Sequence, residues 1–297
     1  MKRKYILSGG AIGIIFMMLG QLSFSINDSL VKEIVINSSN NISVINVIFL
    51  RSLITTFLLL LFIKFYEKKR ILNILLIKNY HKRGMYEVLT ALFFFTGLIL
   101  LPVAEVYTLL MTNPFFVTIF AFFFLKEKVG LRRWAAVIIG FIGVLFVINP
   151  KNVDINYLYI FPIIAAVFLT IRDIATKNIA TKTNSFEIIF ITSFLLTFFS
   201  GIGSFFFELN FKIEYLPNLL VSSLFITLAY IFSVLTVFYA PLSLTASARY
   251  SVIIFGIALG YLILNEIPSS NMIIGAIIIS LSGLFVIRRQ KKLGKID

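Results

Sequence analysis

The sequence predicts an all-α membrane protein: ten transmembrane helices in two inverted five-helix repeats. Three observations predict it. First, the 297-residue chain is 59% hydrophobic and only 13% charged, with a mean hydropathy of +0.99. A soluble domain carries about 25% charged residues, so a surface this short of polar groups belongs in lipid. Second, ten apolar segments follow one another, most of them near the roughly 20 residues that cross a bilayer. Third, a polar signature recurs at half length. Gln21, Ser25, Asp28 and Lys32 share one helical face, and Ala166, Thr170, Asp173 and Lys177 repeat that spacing 145 residues later.

The apolar cores lie at about 9–31, 42–63, 84–102, 105–125, 131–149, 157–176, 186–206, 217–239, 242–264 and 271–288. Hydrocarbon forces each backbone to satisfy its own hydrogen bonds, and the cores lack the alternation of barrel strands, so they are expected as helices. The first follows Lys2, Arg3 and Lys4 and superficially resembles a secretory signal. Its core is longer than a signal's, and no convincing small-x-small cleavage site precedes Asp28, so it is expected to remain as a span.

The second segment holds Arg51 between Leu50 and Ser52. The link from Lys64 to Arg83 is basic at its ends and apolar in the middle; it reads either as a surface-lying amphipathic stretch or as a solvated loop. On the third segment Glu87 and Thr90 share a face, and on the fourth Glu105, Thr108 and Thr112 do. Pro114, after Asn113, is expected to break the fourth helix locally. Trp134 follows Arg132 and Arg133 as an interfacial anchor, and Gly140 and Gly143 are expected to admit a close helix neighbour. Ser223, Thr227 and Tyr230 stripe the eighth segment, and Arg249 lies in the ninth.

The repeat extends beyond the opening pair. Leu125-Lys126-Glu127 is matched by Leu264-Asn265-Glu266, and Leu145-Phe146-Val147-Ile148 by Leu284-Phe285-Val286-Ile287, both at an offset of 139. The expected halves are residues 1–150 and 151–297. Five spans in each force the second half to enter the membrane inverted, a recurrent transporter plan. Lys and Arg set the orientation. With the N-terminus inside, 22 basic residues fall on the inner side and 3 on the outer, which predicts a multi-pass protein with both ends in the cytoplasm.

Composition also excludes functions. The chain has no cysteine and one histidine, His81, so no metal site and no cofactor is expected. The net charge of +14 is explained by topology rather than by nucleic acid. An integral-membrane enzyme would need a cluster of acids, histidines or a nucleophile on one face, and the acids here are scattered. A non-transporting scaffold would not need charges at membrane depth. The expected partners are the lipid bilayer and a small organic metabolite.

Charges at membrane depth cost about 2.5–3.5 kcal/mol each by insertion scales, so they point to a wet pathway or an internal pair. Arg51 and Arg249 are candidate anchors for an anionic group of the substrate; the alternative is an ion pair, for example with Asp28 or Glu105. Asp28, Glu105, Thr112, Thr227 and Tyr230 complete the candidate pathway. Lys32, Asp173 and Lys177 are candidate gates, against the simpler i,i+4 pairs Asp28–Lys32 and Asp173–Lys177. Glu87 and Glu105 are candidates for proton coupling.

The order SFSINDSLVK, NVIFLRSL and then the run between Leu101 and Ile148 resembles the EamA-type branch of the drug/metabolite transporter superfamily. Pro102, Glu105, Pro114, Glu127, Trp134, Gly140 and Gly143 carry the resemblance. The second half departs from it, with Leu244 opposite Glu105 and Ile253 opposite Pro114. The resemblance implies ten helices in two inverted five-helix repeats around a central cavity, and movement of small metabolites by alternating access across the bacterial inner membrane. The first half is most similar to bacterial members that move S-adenosylmethionine, riboflavin or carnitine.

Overall fold

The computed structural model describes residues 2–38, 42–67, 74–123, 130–149, 157–179, 185–207, 211–239, 245 and 248–292. Almost all of them are helical. The helices are α1 (Lys2–Asn37), α2 (Val44–Phe62), α3 (Lys78–Leu100), α4 (Val103–Leu110), α5 (Asn113–Phe123), α6 (Leu131–Ile148), α7 (Ile160–Ile179), α8 (Ser185–Ser204), α9 (Leu216–Tyr239), α10 (Ser251–Leu264) and α11 (Ser270–Lys292). Eight stretches are long and apolar enough to cross a membrane; Trp134–Ile148 and Ala248–Leu264 are shorter apolar helices. The protein is a multi-pass membrane protein.

Local chemistry sets several ends. Ser43 caps α2 by accepting from the Ile45 amide at 3.3 Å. Asn149 and Asn265 stop α6 and α10 in the left-handed region, at φ 46° and 55°, which asparagine tolerates better than most residues. The expected break in the fourth segment is present: α4 ends at Leu110, Met111 and Thr112 turn, and α5 restarts at Asn113. Helix α3 begins six residues before the apolar core 84–102, so Arg83 lies inside it rather than in a loop. Of the 64–83 link, residues 68–73 lie outside the described residues. Ile74 and Tyr80 are buried while Leu76 is exposed, a two-faced pattern at this end of the link.

Helix α1 packs along α9 and against α10; α3 packs along α7 and α8; α2 along α8 and α9; α6 along α11; and α4 against α10 and α7. A large apolar cluster runs from Val31 and Val47 through Phe95, Tyr107 and Phe115 to Ile279 and Val286. Large apolar side chains such as Phe57, Ile138, Leu262 and Leu281 are left on the exterior, as lipid contact requires. The α6–α11 contact depends on glycine. A Cβ on Gly275 would lie 2.5 Å from Val147 Cγ2 and 2.7 Å from the Gly143 carbonyl oxygen. Gly143 itself faces Ile278 and Ile279, while Gly140 faces the Phe115 ring.

Candidate functional site

The buried polar groups form three groups along the bundle. The middle group joins α1, α2 and α4. Asp28 accepts from the Tyr107 hydroxyl and from Asn27 Nδ2, both at 2.6 Å. Arg51 Nη1 donates to Asn27 Oδ1 at 2.9 Å, and its guanidinium lies 5.2 Å from the centroid of the Phe95 ring. Asn27, Asp28, Arg51, Phe95 and Tyr107 are all buried. The Nε of Arg51 has no hydrogen-bond partner among the described residues.

The second group lies at the end of the bundle where α1 finishes. Lys32 pairs with Glu266 in the α10–α11 connection and donates to the Leu101 carbonyl at 2.6 Å. Glu266 also accepts from the Val103 amide at 2.7 Å, so a single carboxylate ties α1, the start of α4 and the end of α10. Glu105 is close by and accepts from Tyr159 at 2.9 Å. Pro102, Glu105, Gly260, Glu266 and Met272 line a small crevice there.

The third group lies at the opposite end. Arg172 binds both oxygens of Glu87 (2.9 and 3.1 Å) and Asp173 (2.6 Å). Arg83 meets Glu87 at 3.2 Å and Thr192 at 2.5 Å. Asp173 also takes Arg249 and Asn113, each at 3.2 Å. Three guanidiniums thus enclose two carboxylates across α3, α5, α7 and the turn before α10.

The expected i,i+4 pair Asp28–Lys32 is not formed. The helix puts both groups on one face, but each reaches a different neighbour: Tyr107 for Asp28, Glu266 for Lys32. Arg51 is bonded to Asn27 rather than to a carboxylate, whereas Arg249 is paired with Asp173. Glu87 is held by two arginines. Thr112 and Thr227 turn their hydroxyls to carbonyls of their own segments, Leu109 and Ser223. Tyr230 packs edge-on to Phe24 at 6.0 Å. The side chain of Lys177, and residues Glu127 and Leu244, lie outside the described residues.

Asn27, Tyr107, Phe95, Arg83, Arg172 and Glu266 join these groups without standing out as site residues in the sequence. Two signals were available. Glu266 already marked the repeat, and Arg172 adjoins Asp173 in an apolar segment.

Residues 11–149 match the EamA-like transporter family. Similarity to named transporters extends over nearly the whole chain. The S-adenosylmethionine uptake transporter of Rickettsia prowazekii (strain Madrid E) is 26% identical over 291 residues, covering 94% of each chain. The pseudopaline exporter CntI of Pseudomonas aeruginosa (strain UCBPP-PA14) is 22% identical, covering 94% of this chain and 97% of that one. A riboflavin transporter of Vibrio cholerae is 32% identical over 99 residues, 33% of each chain. A solved crystal structure shares the fold, with a TM-score of 0.63 at 13% identity over 94% of this chain and 98% of the other.

Proposed function

We propose that this EamA-type protein is a secondary transporter of the bacterial inner membrane that moves a small organic metabolite by alternating access. Ten spans form two inverted repeats, 1–150 and 151–297, with both termini in the cytoplasm. The observation that carries the reading is a pair of polar cross-ties at opposite ends of the bundle, each joining the two halves, with a buried cation between them. Lys32 to Glu266 spans the halves at one end, and Glu87 with Asn113 to Arg172 and Asp173 does so at the other. An alternating-access carrier opens one such tie at a time.

The repeat is supported by packing. Counting α4 and α5 together as the fourth span and α10 as the ninth, the main neighbours are unchanged when each span number is shifted by five. Span one on eight becomes six on three, two on eight becomes seven on three, and one on nine becomes six on four. By the charge bias, the Lys32 end faces outward and the Arg172 end the cytoplasm.

In this scheme Asp28, Arg51 and Tyr107 line the pathway at mid-depth. Lys32 belongs to the outer gate, while Asp173, Arg249 and Glu87 belong to the inner one. The charge of Glu87 is met by two guanidiniums, so we assign it to the gate and leave Glu105 as the candidate for a coupling proton. S-adenosylmethionine, riboflavin and carnitine are the candidate solutes, the first two being those named for relatives. The test is flux of each labelled solute into proteoliposomes, with Arg249→Ala as the control. Uptake above protein-free vesicles, lost in that variant while it remains folded, supports transport; no uptake of any solute refutes it.

A further inference from the structure

We infer that the end of α2, the start of α3 and the chain leading into α3 form a binding face for phospholipids with anionic headgroups. The inference goes beyond transport and does not depend on it.

The sequence from Lys64 to Lys82 holds six lysines and arginines and one acid, Glu67. An apolar run that includes Ile74, Leu75, Leu76 and Ile77 lies between the basic flanks. The structure sorts the described part of this link into a covered side and an uncovered one. Ile63, Ile74 and Tyr80 are buried in one cluster with Ile188, Ile191 and Leu195 of α8. The Tyr80 hydroxyl donates to Glu187 at 3.0 Å, and Arg83 donates to Thr192, so α8 holds this side in place. Uncovered are Phe65 and Leu76, at 70% and 78% exposure, together with Lys64, Lys78 and Lys82. Lys78 and Lys82 stand one turn apart on one face of α3.

The uncovered side carries cations that the protein does not answer. Among the described residues none of Lys64, Lys78 and Lys82 takes part in an ion pair, whereas the adjoining Arg83 meets Glu87. The Lys64 ammonium lies 5.8 Å from the centroid of the Phe65 ring, so a charge and an apolar group project together. This is the end where α2 finishes and α3 and α8 begin, the cytoplasmic end by the charge bias. Neither pure solvent suits such a face. Water leaves Leu76 and Phe65 unburied, and hydrocarbon strips the ammonium groups of their hydration. The boundary between headgroups and acyl chains satisfies both: the apolar side chains enter among the chains while the lysines reach the phosphates. A zwitterionic headgroup brings its own cation beside its phosphate. An anionic one brings an unanswered charge, which is what six cations against one acid select. A soluble phosphate has no chains to cover Leu76 and Phe65.

The experiment titrates the full chain in detergent micelles with dioleoyl phosphatidylglycerol, dioleoyl phosphatidylcholine or glycerol 3-phosphate, and reads the melting temperature, which rises with anything that binds the folded state. The expected result is a saturable rise with phosphatidylglycerol that the other two do not match. Lys78→Gln combined with Lys82→Gln should raise the half-maximal phosphatidylglycerol fraction at least about tenfold. Lys78→Arg with Lys82→Arg, which keeps both charges, should leave it in place. Arg288→Gln with Arg289→Gln, which removes as many cations from α11, should leave it in place too. An equal rise with phosphatidylcholine overturns the preference for anionic headgroups. An equal rise with glycerol 3-phosphate makes this a soluble-phosphate site and overturns the lipid. Equal losses in the two glutamine pairs assign the effect to net charge and overturn this face as its seat. The three-ligand series on the unaltered chain decides against the inference by itself should a variant fail to fold.

Discussion

Replacing Glu266 by glutamine should open the Lys32 end of the bundle. Glu266 accepts from the Lys32 ammonium and from the Val103 amide, and the Lys32 side chain is 4% exposed. Breaking a fully buried pair costs about 3–5 kcal/mol, because one charge is left in low dielectric. Glu266 is 20% exposed, and the Leu101 carbonyl stays bonded to Lys32, so a loss of about 2 kcal/mol fits this site better. That loss applies only to the conformer in which the tie is closed. Where this mouth is open, water solvates both groups. Two kilocalories shift such an equilibrium about 30-fold.

The chain has no cysteine, so one engineered at Met272, buried beside the crevice, reports opening through its maleimide labelling rate in detergent. Glu266→Gln should raise that rate by about the factor set by the population shift. The exchanged pair Lys32→Glu with Glu266→Lys should not restore the slow rate, because a glutamate cannot donate to the Leu101 carbonyl and a lysine cannot accept from the Val103 amide. An unchanged rate in Glu266→Gln, or full recovery in the exchanged pair, would refute the tie as described.

Three further outcomes are expected. Asp173→Asn weakens the attachments of Arg172 and Arg249 and leaves three guanidiniums facing one carboxylate, so a cysteine at the buried Thr170 should label faster while one at Met272 does not. Tyr107→Phe removes the 2.6 Å bond to Asp28 and should lower stability by about 1.5–3 kcal/mol, the range for bonds to charged groups, measured by thermal unfolding in detergent together with reduced flux. Gly275→Ala places a methyl group against the α6 backbone and should cost about 1–3 kcal/mol, read as a lower melting temperature; no change would mean that α6 and α11 have slack between them.

Hydropathy made the spans legible because lipid imposes one rule on every segment. The Asn113-Pro114 break was legible because proline lacks the amide a helix needs. Partners were less so. The i,i+4 spacing of Asp28 and Lys32 reports a shared face, and at membrane depth each group sought the strongest partner across the bundle rather than along its own helix. Arg83 was counted among loop cations because it precedes the apolar core, yet α3 starts at Lys78 and carries it to Glu87 and Thr192. Asn27 and Tyr107 carry no net charge and stood among many polar neighbours. Their importance comes from what they touch, which depends on how α1, α2 and α4 meet.

The interrupted fourth span has a mechanical consequence. Its first piece holds Tyr107 and the Val103 amide, which serve Asp28 and Glu266; its second begins at Asn113, which serves Asp173. A single stiff rod fastened at both extremities would drag the far fastening whenever the near one let go. The joint at Met111 and Thr112 separates those two loads, so one extremity can swing while the other stays moored.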